Sequence, residues 1–523
     1  MMILRRLLPL VAVQGLMVGA GARLEAQTWQ REDVDFAKLE ERAKLLATQQ
    51  YQAPDREALP KWMKDLSYDQ YRDIRFRPDQ ALWVQGNLPF RAMFFHPGYL
   101  FREPVKIHEY TSSHSQEVRF TPAFFDYGPL VGERGDVPPD AGFAGFRLHA
   151  PLNNPGYYDE LAVFQGASYW RALGKGQHYG LSARGLAINT GAGNEPEEFP
   201  AFREFWLRKP EADATISEIL AIIDSPSVSG AFDITIQPGE DTIVTVRAVL
   251  FPRRAVQRFG VAPLSSMFWF GENSRRRFDD LRPEVHDSDG LAIQLGTGER
   301  IFRPLTNDSG NLDFSFFSVP KIGGFGLLQR DRAFSSYEDG EASYHQRPSV
   351  WIEPINDWGP GKIMLMEIPT TNELADNVVA LWEPETIPQP GTRHEFLYRQ
   401  HWTMAEDPSH AGGHVVATRT GLHDWQKNQR TMAVEFAGVD SAKLKDGKAP
   451  EAVVQFIGDG GTRAKIQGVA VQPLPGGRWR AGFQIIPAKE GTKLSDIGPL
   501  ELRAALKTGD DYLTETWAYR INP

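Results

Sequence analysis

The sequence contains no cysteine. That excludes a disulfide framework and any Cys-x-x-Cys zinc or redox site. It also lacks a basic stripe. Lys and Arg number 57 against 67 Asp and Glu, for a formal net charge of −10. Nucleic acid demands clustered positive charge, so that class of partner is excluded. Beyond the N-terminus no apolar run approaches the roughly 20 residues a membrane-spanning helix needs. No Gly-x-x-x-x-Gly-Lys-[Ser/Thr] loop is present to cradle a nucleotide phosphate. No Gly-x-Ser-x-Gly elbow is present to hold a nucleophilic serine. His410 and His414 have metal-like spacing, but they sit in a Gly-rich stretch without a third ligand. Neither a metal nor a cofactor is expected. No internal repeat or low-complexity segment is visible.

What is present fits a globular protein of two domains. The chain has 523 residues, 41% of them hydrophobic and 24% charged, enough for a sizeable core. Arg5 and Arg6 precede the short apolar stretches Leu7–Val13 and Gly15–Ala20. A basic start and a short apolar core read as a secretory signal peptide, with cleavage after Ala26 and Ala22 as the alternative. The general export route is expected, and the mature protein is placed in the periplasm. Phe36, Leu39, Ala43, Leu45 and Leu46 then recur at roughly helical spacing. After them strands dominate, punctuated by 48 Gly and 37 Pro. The clearest hairpin runs from Phe232 through Pro238-Gly239-Glu240-Asp241 to Phe251. Its return strand sets Val244, Val246, Ala248 and Leu250 on one face. A small, polar stretch over residues 404–414 reads as a linker. The segment 415–523 is about the size of an immunoglobulin-like sandwich without its disulfide. Its last strand alternates Leu513, Glu515, Trp517, Tyr519 and Ile521. The expected fold class is all-β.

Two acidic segments lie in aromatic surroundings. One runs from Ser266-Met267-Phe268-Trp269-Phe270 on to Glu284-Val285-His286-Asp287-Ser288-Asp289. The other is Glu367-Ile368-Pro369-Thr370-Thr371-Asn372-Glu373-Leu374-Ala375-Asp376-Asn377. Carboxylates beside ring faces suit a sugar-cleaving cleft. One acid protonates the leaving oxygen, a second activates water or attacks, and rings stack on the sugar C–H faces.

The order of motifs is more specific than their composition. Asp126-Tyr127-Gly128, Gly142–Arg147, Gly166–Trp170, Tyr179–Ile188, Gly324–Arg330, Arg347-Pro348-Ser349 and the two acidic segments stand in sequence. Together they resemble the periplasmic glucan biosynthesis proteins MdoG/OpgG and OpgD, from about Tyr51 to the C-terminus. The resemblance implies a large galactose-mutarotase-like β-sandwich over residues 27–403 and a small immunoglobulin-like domain over 415–523. It implies action on β-1,2-glucan as an inverting glycoside hydrolase, with Asp376 as general acid and Asp287 as general base. Tyr344, Arg347 and Glu373 would line the cleft around the acid. The alternatives are a cyclising transglycosylase and a non-catalytic glucan-binding partner of a membrane glucan synthase. A homodimer stays open. For the acid to hold its proton, burial or a neighbouring carboxylate such as Glu373 is expected beside Asp376. Simpler roles compete. Asp376 also suits a turn, Asp287 and Asp289 suit loop positions bonded to their own backbone, and Arg347 suits a structural ion pair. Trp269 and Trp351 suit the core. The acidic stretch Gly191–Glu198 reads as a solvated loop.

Overall fold

The computed structural model describes residues 34–132, 135–274, 278–307, 310–405, 412–422, 428–444 and 448–523. The expected signal peptide and residues 406–411 of the expected linker lie outside the described residues.

The protein is all-β. Among the described residues two large sheets carry most of the chain, a 10-stranded and a 15-stranded one, and a 4-stranded sheet lies near the C-terminus. The hairpin read from sequence lies in the larger sheet. Val228–Gln237 pairs antiparallel with Thr242–Pro252, and Phe232 stands opposite Ala248. Val244, Val246, Ala248 and Leu250 are all buried, as their alternation requires. The two large sheets pack face to face through rings. Phe146 of the smaller meets Phe205 of the larger edge-on, with centroids 5.0 Å apart.

The N-terminal helix forms over Phe36–Thr48, capped by the Asp35 side chain, which accepts from Lys38 N. It buries Leu39 and Ala43 against Trp206, Leu220 and Ile222. Leu45 points away and is exposed, so the apolar stripe is narrower than the sequence spacing implied.

The C-terminal segment is joined to the larger sheet. Its last strand, Thr516–Ile521, runs parallel to Arg300–Pro304, with Phe302 opposite Trp517. Trp517, Tyr519 and Ile521 are buried. They share a second core with Met432, Val434, Phe436, Phe483 and Ile485 of the 4-stranded sheet. Glu515, on the same alternation, is also buried, and the pair it makes with Arg330 explains how. Arg330 donates to Glu515 Oε1 at 2.5 Å and to Oε2 at 3.1 Å.

Candidate active site

The two acidic segments meet on one short strand, Phe268–Phe270. On one side it pairs with Val285–His286, with Phe268 opposite His286, and Asp287 N donates to Met267 O at 2.8 Å. On the other side Asn377 clasps it. Phe268 N donates to Asn377 Oδ1 at 2.8 Å, and Asn377 Nδ2 donates to Phe268 O at 3.0 Å and Ile368 O at 2.9 Å. Asn307 adds a second staple, donating to Trp269 O at 2.9 Å and Thr370 O at 2.8 Å. The loop that carries Glu373 and Asp376 is thus fixed to the strand that positions Asp287.

Asp287 is buried, with only 4% of its surface exposed. Loss of solvation pushes its carboxyl above the usual carboxylate range, Arg347 pulls it down, and the Asp376 carboxylate pushes it up. Arg171, which faces Asp376 at 3.6 Å, also acts on Asp287 and lowers its carboxyl. Arg347 donates to Asp287 Oδ1 through Nη1 and to Ala342 O through Nε and Nη2. Its guanidinium lies over the Tyr344 ring, 4.2 Å from the centroid. Gly180 permits this placement, because a Cβ there would stand 2.9 Å from the Arg347 Cβ.

Tyr344 is buried and follows Ser343, whose φ of 49° lies in the left-handed region. Its hydroxyl donates to Glu373 Oε2 at 2.5 Å, and burial followed by that bond raises the phenol well above its ordinary range. Arg282 donates to the same Glu373 oxygen at 2.7 Å, to Asp339 Oδ2 at 2.8 Å and to both Asp280 oxygens. A continuous polar network therefore runs from Arg282 through Glu373 to Tyr344. The Arg347 guanidinium that covers the Tyr344 ring bonds Asp287.

Some contacts differ from the sequence reading. Arg347 makes an ion pair, the simpler role its sequence context allows, with Asp287, and Arg282 takes Glu373. Tyr344 is too enclosed to offer its ring to a pyranose, because Arg347 covers it. Asp376 is not enclosed by apolar walls. Its side chain is 38% exposed and faces Arg171 at 3.6 Å. Asp289 accepts from Arg330 N at 2.6 Å and Asp331 N at 3.2 Å, so it braces a distant loop, not its own backbone. Trp351 is buried in the core, whereas Trp269 is half-buried against Phe270, Phe278 and Arg282. The Gly191–Glu198 loop is less free than its composition suggested. Glu197 pairs with Arg184 at 3.1 Å, and Glu198 accepts from Ser227 N and Oγ.

Arg171, Arg282, Asn307 and Asn377 were not singled out from sequence. Arg171 was within reach, since it follows Trp170 in a strand. With Trp170 in the core, residues 169 and 171 must face the other way.

Fold and site together define an all-β protein with an arginine-lined carboxylate centre built from two distant segments. The profile of the family described as "Periplasmic glucan biosynthesis protein, MdoG" matches residues 34–521. The chain belongs to this family. It is 46% identical to glucans biosynthesis protein G of Ralstonia nicotianae, over 92% of this chain and 95% of that protein. It is 44% identical to glucans biosynthesis protein G of Bradyrhizobium diazoefficiens, over 92% of each chain. It is 42% identical to glucans biosynthesis protein D of Xanthomonas campestris pv. campestris, over 94% of this chain and 91% of that protein. Among solved structures, a GH36 α-galactosidase from Geobacillus stearothermophilus aligns with a TM-score of 0.25 and 9% identity. It covers 50% of this chain and 39% of the enzyme, a likeness too slight to bear on chemistry. The protein is a periplasmic glucan biosynthesis protein. Among the described residues no helix is long and apolar enough to cross a membrane.

Proposed function

We propose that the protein hydrolyses β-1,2-glucan with inversion at the anomeric carbon and so shapes periplasmic glucan. Asp376 gives its proton to the glycosidic oxygen as the C–O bond breaks. A water attacks the anomeric carbon from the opposite face, and its proton passes finally to Asp287. The roles divide by environment. Asp376 is solvent-accessible and can meet a glycosidic oxygen, while Asp287 is enclosed and must receive its proton along a chain of hydroxyls or waters. Arg347 favours the ionised form of Asp287, and the Tyr344–Glu373–Arg282 network fixes the wall beside it. The observation that carries this reading is that the two aspartates, one exposed and one buried, lie on segments stapled to a common strand.

The test is incubation with linear β-1,2-glucan. Wild type should release shortened chains and Asp376→Asn should not. Equal rates for the two proteins would remove Asp376 from the mechanism. Mass spectrometry separates hydrolysis from cyclisation, because a cyclic product lacks one water relative to the linear chain. Glucan binding without any turnover by wild type would favour the non-catalytic role.

A further inference from the structure

The first acidic segment holds more carboxylates than the proposed chemistry uses. Glu272 and Glu284 come from it, and Asp331 comes from the loop after the strand Ile322–Leu328. One carboxylate oxygen from each lies within 4.8 Å of the other two. They sit where the strand His414–Leu422 crosses the body of the protein, and Thr418 N donates to Glu272 Oε1 at 2.7 Å. His286 Nε2 lies 2.9 Å from Glu284 Oε2.

A second observation is independent of this cluster. A cavity of about 20 Å³ opens beside it, lined in part by Glu272, Asn273, Asp289 and Asp331. Two oxygens of these lining residues, Asn273 Oδ1 and Asp289 Oδ1, are buried without a hydrogen-bond partner among the described residues. Asn273 is 7% exposed, and its amide nitrogen is already committed to Leu305 O at 2.8 Å. An unpaired buried acceptor costs about 1–3 kcal/mol, so such oxygens normally find a donor, a water or an ion. The space exceeds the roughly 10–15 Å³ that a single water or ion needs. Arg330 also lines it, but its guanidinium is engaged with Glu515 and Val415 O.

From these placements we infer a divalent-cation site formed by Glu272, Glu284 and Asp331 and completed by Asn273 and Asp289. The proposed donors are all carboxylate or amide oxygens, and the His286 imidazole beside them is bonded to Glu284 Oε2. That set selects a hard ion, Ca²⁺ or Mg²⁺ or Mn²⁺, over zinc or copper. Oxygen donors at about 2.0–2.6 Å from one ion stand no more than roughly 5 Å apart, as these three do. The ion would hold Glu272, which accepts from Thr418 N of the 4-stranded sheet, against the segment that carries Asp287. No spacing rule reveals such a site in the sequence, since Asp331 comes from a loop more than 40 residues beyond the segment that holds the other ligands.

The experiment uses the full chain, stripped with EDTA and titrated separately with Ca²⁺, Mg²⁺ and Mn²⁺. Calorimetry should show one ion bound per chain, and Tm should rise with the logarithm of ion concentration above Kd. Glu272→Gln should weaken binding by at least about tenfold, and Asn273→Asp should strengthen it, because affinity follows the number of charged ligands. Absence of heat and of a Tm shift up to ~10 mM of each ion, the weak end of natural calcium sites, would overturn the inference. So would wild-type affinity in both variants, which would place a bound ion elsewhere. The wild-type titration alone decides the matter if a variant does not fold. None of these readouts involves glucan, so the site stands or falls apart from the hydrolase reading.

Discussion

At the scale of single residues, Asp287 balances opposed effects. Burial and the neighbouring Asp376 favour its protonated form, and Arg347 favours the carboxylate. The net shift is upward, so the ionised base is lost as pH falls through a value above that of a free aspartate. Arg347→Gln removes the ion pair with Asp287 and should raise that value further. The acid limb of the activity–pH profile is therefore expected to move to higher pH, with Arg347→Lys moving it less because the charge is kept. An unchanged limb in Arg347→Gln, measured by initial rates on linear β-1,2-glucan, would show that another group controls it. Tyr344 poses a related question, since its hydroxyl and Arg282 share one oxygen of Glu373. Tyr344→Phe should lower the turnover rate with little change in Tm, because Arg282 still satisfies the carboxylate.

At the scale of elements, the site depends on how a loop is held to a strand. The loop between Gly361–Glu367 and Val378–Pro384 carries Asp376, and its root is locked at Glu367. Glu367 meets Arg303 at 3.0 Å and accepts from Thr306 N at 2.6 Å. Asn377 closes the other end. Asn377→Ala leaves Phe268 N, Phe268 O and Ile368 O without their partner, at about 1–3 kcal/mol for each group that stays buried and unpaired. Chemical denaturation should register that loss, and activity should fall more than stability alone explains, because Asp376 is released from its fixed position. Gly180 acts by absence. Gly180→Ala places a methyl against the Arg347 Cβ and should tilt the guanidinium away from Asp287. The expected signature is a lower turnover rate together with the shift in acid limb seen for Arg347→Gln.

At the scale of the whole molecule, the C-terminal segment is tied to the body by a sheet edge and by a buried charge pair. Arg330 and Glu515 have side chains only 4% and 0% exposed, and Glu515 also accepts from Val415 N at 2.8 Å. Removing one partner leaves the other charge buried alone, which costs about 3–5 kcal/mol. Glu515→Ala is expected to lower stability by that order in denaturant titration. The wild type should unfold in one transition, whereas Glu515→Ala should split it, as the second core around Trp517 loosens before the first. A single transition in the variant would mean that the paired strands Arg300–Pro304 and Thr516–Ile521 alone hold the two parts together.

The sequence by itself determined the all-β class, the Phe232–Phe251 hairpin and the family. These are matters of local alternation, turn chemistry and motif order, which a linear string carries directly. It also marked the two acidic segments and the five residues named within and beside them. Only the tertiary structure decided who pairs with whom. Arg347 turned to Asp287 because Gly180 leaves room for it, and Glu373 was left to Tyr344 and Arg282. Asp376 met Arg171, a residue 205 positions earlier, across strands whose adjacency no spacing encodes. The charge pair at Glu515 was hidden for the same reason. Alternation placed Glu515 on the buried face, but the Arg330 that makes a carboxylate tolerable there comes from 185 residues away.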